Sequence, residues 1–207
     1  MKQKLKNVYW IGGGSGAGKS TIAKRIADRH GFYYYSTDDV MPDHGKRTSA
    51  DESPYLRAFK AMDMDERWVN RSPSEMLETF HWFNGEGFRF IVEDLLSMPS
   101  DKGVVVEGFR LLPYLVRPWL AKTNQAVWLI PTPEFRKEVF EHRPENVKFY
   151  NRTSNPAKAL NNLLERDKLF SERIKAEATE DNLHIIELNK SISEENTFRD
   201  VEELFRL

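Results

Sequence analysis

The segment Gly13-Gly14-Ser15-Gly16-Ala17-Gly18-Lys19-Ser20 constrains this chain more than any other, because it meets the spacing G-x-x-x-x-G-K-S/T in full. Before it, Val8-Tyr9-Trp10-Ile11 is a short β-branched and aromatic run of the kind that forms a buried strand. After it, Ser20 to Ala27 carries apolar residues at helical spacing, and Gly31 supplies a left-handed helix cap. Strand, glycine loop and helix in that order turn successive backbone N–H groups and a helix N-terminus toward one anion. A polyphosphate meets that description. Lys19 is placed to reach its β- and γ-phosphates and the Ser20 hydroxyl to ligate Mg²⁺. Gly13, Gly14, Ser15, Gly16, Ala17, Gly18, Lys19 and Ser20 are the expected nucleotide-binding set, with Thr21 behind them as support for the helix.

Composition narrows the setting. At 207 residues the chain is long enough to bury one α/β core, and its formal charge of −1 leaves no global footprint for nucleic acid. With no cysteine it has neither a disulfide framework nor a thiolate nucleophile, which fits a reducing compartment. The basic start, Met1 to Lys6, precedes an apolar run too short for a signal-peptide core, and no later stretch approaches the ~20 apolar residues of a membrane span. A soluble cytoplasmic protein is expected.

Further strands are predicted at Phe32 to Thr37, Gly103 to Val106, Ala126 to Ile130 and Leu183 to Leu188, with helical patterns between them. Such alternation predicts an α/β fold: a parallel sheet covered on both faces, with ligands gathered at the carboxyl ends of its strands. Asp38, Asp39 and Glu107 all fall at such ends. Two segments exceed a simple crossover and are expected to cover the site as helical insertions in a single domain of residues 1–207. The first, residues 41–102, has helical patterns at Pro54 to Met62, Ser74 to Phe83 and Glu86 to Met98. The second, residues 133–182, has a helix near Glu134 to His142, a polar stretch and a long helix from Ala157 toward Ala178. The aromatic and methionine positions of these helices fit core packing as well as ligand binding.

With GGSGAGKS, Ser36-Thr37-Asp38-Asp39-Val40 and Val104-Val105-Val106-Glu107-Gly108-Phe109-Arg110 in view, the chain resembles the nucleoside-monophosphate-kinase-like branch of the P-loop phosphotransferases. That group includes adenylate, shikimate, gluconate and 2-phosphoglycerate kinases. The resemblance covers the core scaffold and implies the three-layer P-loop NTPase fold, about five parallel strands with helices on both faces. It also implies ATP and Mg²⁺ as cofactors and a small molecule as phosphate acceptor. Adenylate kinases end the third strand in a DGFPR motif. Glu107-Gly108-Phe109-Arg110 looks like it, with Glu for Asp and without the proline, so that Glu107 would sit near Mg²⁺ and Arg110 near the acceptor. Related small-molecule kinases place a carboxylate after the second strand to orient the acceptor hydroxyl and take its proton. Asp38 is the first candidate here and Asp39 the second, one of them serving otherwise as a turn or cap residue. The family's lid supplies arginines that neutralise the transferring phosphoryl group. The candidates are Arg143, Arg152, Arg166 and Arg173, of which Arg166 and Arg173 lie seven apart on one helical face, unless they pair with neighbouring acids. Arg67 and Arg71 flank Trp68 and offer an acceptor site in the first insertion.

Two weaker signals fail on their own chemistry. Asn189-Lys190-Ser191-Ile192 has the start of a guanine-reading N-K-x-D, but Ile192 cannot accept the guanine N–H groups. The five histidines show no paired ligand spacing. The expected activity is ATP- and Mg²⁺-dependent phosphoryl transfer to a small molecule. The rival expectation is an ATP-binding regulator or slow NTPase whose insertions hold a partner on a flat apolar face within residues 54–98.

Overall fold

The five apolar runs pair into one parallel sheet, because strands buried on both faces leave no polar side to turn to solvent. A computed structural model describes residues 2–142, 144 and 148–207, with no side-chain detail for residues 2 and 3. Strands β1 (Val8–Gly13), β2 (Tyr33–Ser36), β3 (Val104–Glu107), β4 (Ala126–Pro131) and β5 (His184–Leu188) stand in the order β2-β3-β1-β4-β5. Register is set by pairs such as Trp10 with Val106, Ile11 with Val127 and Ser36 with Glu107. The chain therefore crosses over between every pair of sequential strands, and the carboxyl ends of β1, β2 and β3 meet at one edge of the sheet.

Alternation along the strands sorts the core into two layers. Trp10, Val104, Val106 and Trp128 face α6 (Phe88–Ser97), α7 (Pro113–Val116) and the C-terminal half of α9 (Pro156–Glu180). Ile11, Val105, Val127 and Leu129 face α1 (Lys19–His30) and α10 (Glu194–Phe205). Trp10 and Trp128 are fully buried, each removing the ~150–250 Å² of an aromatic side chain from water.

The first insertion holds α2 (Met41–Arg47), α3 (Pro54–Ala61), α4 (Met64–Trp68) and α5 (Pro73–Thr79) as well as α6. Helix α4 starts on a reciprocal capping box between Asp63 and Glu66. The helix expected over Ser74 to Phe83 ends at Thr79, because Phe80 is extended, and a 3-10 turn follows at His81–Asn84. The helix expected from Glu86 starts at Phe88 because Gly85 and Gly87 both lie in the left-handed region. The second insertion runs from α8 (Pro133–Glu141) to α9, whose start is capped by the Asn155 side chain on the Lys158 N–H, 3.0 Å. The two insertions share a core: Trp68, Val69 and Met76 of the first pack on Phe140, Tyr150, Ala159 and Leu163 of the second. No helix among the described residues is long and apolar enough to cross a membrane.

Candidate functional site

β1 and β4 approach so closely at Gly13 that any Cβ there would meet the Leu129 carbonyl oxygen. The backbone turns away at this point, with φ +117° at Gly13, and Gly18 closes the loop as the N-cap of α1. No side chain caps α1 and its first turn contains no acid, so no carboxylate of that turn competes with an anion at its N-terminus. The Lys19 side chain curls back over the loop and donates to the Gly14 carbonyl oxygen at 2.7 Å.

The end of β3 supplies the acid. Glu107 is buried at 2% exposure, and its Oε1 accepts from Ser20 Oγ and from the Tyr34 hydroxyl, each at 2.9 Å. Burial, and then Glu107 itself, push the Tyr34 phenol up to about 12, so it remains a donor across the neutral range. Gly108 follows with φ +147°, and a Cβ there would collide with Thr37 Oγ1. That contact, with the Thr37 N–H bond to the Glu107 carbonyl at 2.9 Å, locks the end of β2 against the end of β3.

Asp38 comes next and opens onto the same cleft as the loop. Ser15, Lys19, Ser20, Asp38, Glu107 and Phe109 line about 300 Å³ of space. Asp38 is exposed to the cleft, yet the protein around it limits hydration and raises its carboxyl above the usual carboxylate range, outweighing the opposing pull of Lys19. Asp39 lies outside this lining, and its N–H bonds to Ser36 Oγ at 3.3 Å within the turn. Thr21 also borders the cleft from the first turn of α1.

The arginines separate by environment. Arg110 is turned inward at 1% exposure, donating to the Thr37 and Gly87 carbonyls at 3.2 Å each and lying 4.1 Å over the Trp82 ring. Burial lowers its guanidinium to about 10, which leaves it charged. It braces the backbone ahead of Asp38 and does not line the cleft. Arg166 donates twice to Asp167 Oδ1, at 3.0 and 2.7 Å, while Arg173 pairs with Glu177 at 2.8 Å, so one helical face does not deliver both to one ligand. Arg67 and Arg71 serve backbone carbonyls within the first insertion. Arg152 is exposed on a 3-10 turn, and Arg143 lies outside the described residues.

Three residues that sequence reasoning did not place at the site stand next to it or to its neighbours. Tyr34 is the second donor to Glu107. Arg136, 4% exposed on α8, stacks on Phe140 and reaches toward Gly16 of the loop. Asp167 binds both Arg136 and Arg166. The signal for Arg136 was a cation on the helix face that also carries Phe140, four residues on. Beside the phosphate cleft lies a second cavity of about 170 Å³, walled by aromatic rings, which shares Ser15 and Phe109 with it. A more open depression at Val139, His142 and Lys190 shares Val139 with the cleft. There the loop after β5 forms an Asx turn, with Asn189 Oδ1 accepting from the Ser191 N–H at 2.8 Å.

The chain belongs to the AAA domain family, whose profile matches residues 10–158. It is therefore a P-loop nucleotide-binding protein, and its parallel sheet with helices on both faces is the fold of that class. Among solved structures it is similar to an uncharacterized protein from Eubacterium ventriosum ATCC 27560, with 14% identity, a TM-score of 0.47 and 96% and 97% of the two chains covered. It is also similar to shikimate kinase from Acinetobacter baumannii in complex with shikimate, with 17% identity, a TM-score of 0.39 and 98% and 92% covered. No curated protein matches the sequence.

Proposed function

We propose that this protein is a phosphotransferase that moves the γ-phosphoryl group of ATP, with Mg²⁺, to a hydroxyl of a small molecule. The observation that carries the reading is the meeting of Lys19, Ser20, Glu107 and Asp38 around one cleft. Phosphoryl transfer needs positioning and charge stabilisation more than covalent chemistry, and these four side chains supply both.

The loop N–H groups and Lys19 bind the phosphates, and Arg136 stands beside the loop to meet charge as it develops. Ser20 and Glu107 offer a hydroxyl and a carboxylate oxygen 2.9 Å apart, hard donors that suit Mg²⁺. Among the described residues no three acids or histidines form a self-sufficient metal site, which fits an ion completed by phosphate oxygens and water. Such an ion would neutralise phosphate charge. Asp38 orients the acceptor hydroxyl and takes its proton, and its raised carboxyl brings it closer to the pKa that a base working near neutrality requires.

The concave cavity next to Asp38 favours this reading over a regulator. The large exposed apolar side chains among the described residues are three, Tyr55, Leu96 and Tyr114. Lys19→Ala is expected to abolish transfer and weaken binding of ATP, whereas Asp38→Asn retains ATP binding and lowers turnover by roughly 10²–10⁴-fold. Full turnover by Asp38→Asn on a genuine acceptor would remove the proposed base.

A further inference from the structure

The aromatic cavity identifies the chemistry of the acceptor, an inference that rests on the phosphotransfer reading above. Most of its wall is aromatic, with Trp68, Phe80, Phe83, Phe109, Phe149 and Phe170 among the rings and Phe83 and Phe170 stacked at 3.6 Å between centroids. Its volume of about 170 Å³ is close to the ~150 Å³ of an apolar cavity that takes one benzene ring. A nucleoside, with a base and a pentose, exceeds that space. A sugar acid fits by size but not by chemistry: apart from Ser15 the polar side chains of the wall are Arg136, Arg166 and Asp167, which bind one another, so most of a ring of hydroxyls would face aromatic carbon, and each one left unpaired would cost about 1–3 kcal/mol.

Arg136, Arg166 and Asp167 form the charged part of this lining, and Arg166 is the cation set among three of its rings. Arg166 is 6% exposed, and its guanidinium lies 5.3, 4.9 and 5.1 Å from the rings of Trp68, Phe80 and Phe83. Nε and Nη2 bind Asp167, which Arg136 shares, and Nη1 makes no hydrogen bond to any described residue. Burial holds the guanidinium down to about 9, still charged at neutral pH. A buried guanidinium with an open donor in an aromatic box calls for an anionic group on the ligand.

We infer that the acceptor is a single-ring, largely apolar hydroxy acid. Its ring occupies the aromatic cavity, its acidic group pairs with Arg166, and its hydroxyl passes Ser15 and Phe109 into the cleft beside Asp38. In the reaction the hydroxyl oxygen bonds to the γ-phosphorus and the bond from that phosphorus to the β,γ-bridging oxygen breaks. The nucleoside diphosphate leaves with the electron pair, and the hydroxyl proton passes to the Asp38 carboxylate.

The test is calorimetric titration of the full chain, with Mg²⁺ and a nonhydrolysable ATP analogue present. The probes are 3- and 4-(hydroxymethyl)benzoate and 4-hydroxyphenylacetate, the uncharged 4-methylbenzyl alcohol, and a polyhydroxylated cyclohexane carboxylate. At least one aryl acid is expected to bind tenfold or more tightly than both the neutral alcohol and the polyol acid. Arg166→Gln is expected to erase the advantage over the neutral alcohol while leaving ATP-analogue binding in place, and Arg166→Lys to keep part of it. Should Arg166→Gln fail to fold, the wild-type comparison stands by itself. Phe149→Ala, at the half-buried edge of the cavity, is then expected to weaken every aryl probe alike. The inference is overturned if no aryl acid binds, if the polyol acid binds best, or if the advantage of the acid survives in Arg166→Gln. Binding of the ATP analogue without any aryl acid would defeat this inference alone, and failure to bind the ATP analogue would defeat the phosphotransfer reading with it.

Discussion

Asp167 is the residue whose removal reads out the buried charge cluster most sharply. It is 4% exposed and is bound by both Arg136 and Arg166, themselves 4% and 6% exposed. Asp167→Asn keeps the shape and deletes the charge, so two buried guanidinium groups lose their shared carboxylate. Breaking a buried pair in this way costs about 3–5 kcal/mol, because the remaining charge stays desolvated. For a chain of this length each kcal/mol shifts Tm by about 2–4 °C, so a fall of about 6–20 °C is expected. The control is Asp181→Asn at the exposed pair with Arg117, 2.9 Å apart with half of the arginine side chain in solvent. Such a surface pair contributes at most about 1 kcal/mol, or a few degrees. Thermal unfolding followed by circular dichroism at neutral pH compares the two. The reasoning is refuted if Asp167→Asn melts within about 2 °C of wild type, or no lower than the surface control.

Acid sensitivity should trace to His81. Burial, reinforced by Arg110 and other nearby cations, holds it down to about 3, so the folded chain binds fewer protons than the unfolded chain from about pH 3 up to 6.5. Stability therefore falls as pH drops through that window, by up to about 1.4 kcal/mol per pH unit, and urea midpoints at pH 7, 6 and 5 should show a slope that His81→Phe flattens. Tyr34→Phe removes one of the two donors to Glu107 Oε1 and is expected to raise the Mg²⁺ needed for half-maximal nucleotide binding about tenfold; an unchanged Mg²⁺ dependence would take Tyr34 out of the metal's surroundings. Gly108→Ala forces a Cβ against Thr37 beside Asp38 at a left-handed position, with a strain of about 1–3 kcal/mol. Turnover should fall more than ATP binding, and equal losses in both would place the damage in the loop instead.

The parallel sheet was legible because each strand is a short apolar run next to a turn residue, and buried strands leave few other assignments. The phosphate loop was legible because its glycines answer backbone requirements that no other residue meets, as Gly13 against Leu129 illustrates. Glu107 and Asp38, singled out for their place at strand ends, both line the cleft. What did not follow was the direction of long side chains. Arg110 carries the expected motif but is drawn inward by the Thr37 and Gly87 carbonyls and the Trp82 ring. Arg166 and Arg173 share a helical face but not a destination, since Arg173 finds Glu177 one turn away and Arg166 sits among rings brought by the other insertion. The aromatic cavity was equally illegible. It needs Trp68, Phe83 and Phe149 from segments far apart in the chain, and no local periodicity records that they converge.

The central claim is transfer of a phosphoryl group to an acceptor other than water. The most direct measurement follows the γ-phosphorus of ATP by ³¹P NMR in the presence of Mg²⁺ and a panel of small alcohols, with wild type and Lys19→Ala side by side. The account predicts a phosphate monoester signal with at least one alcohol, growing in step with ADP and absent with Lys19→Ala. Inorganic phosphate as the sole product, formed at a rate that no alcohol changes, would contradict it.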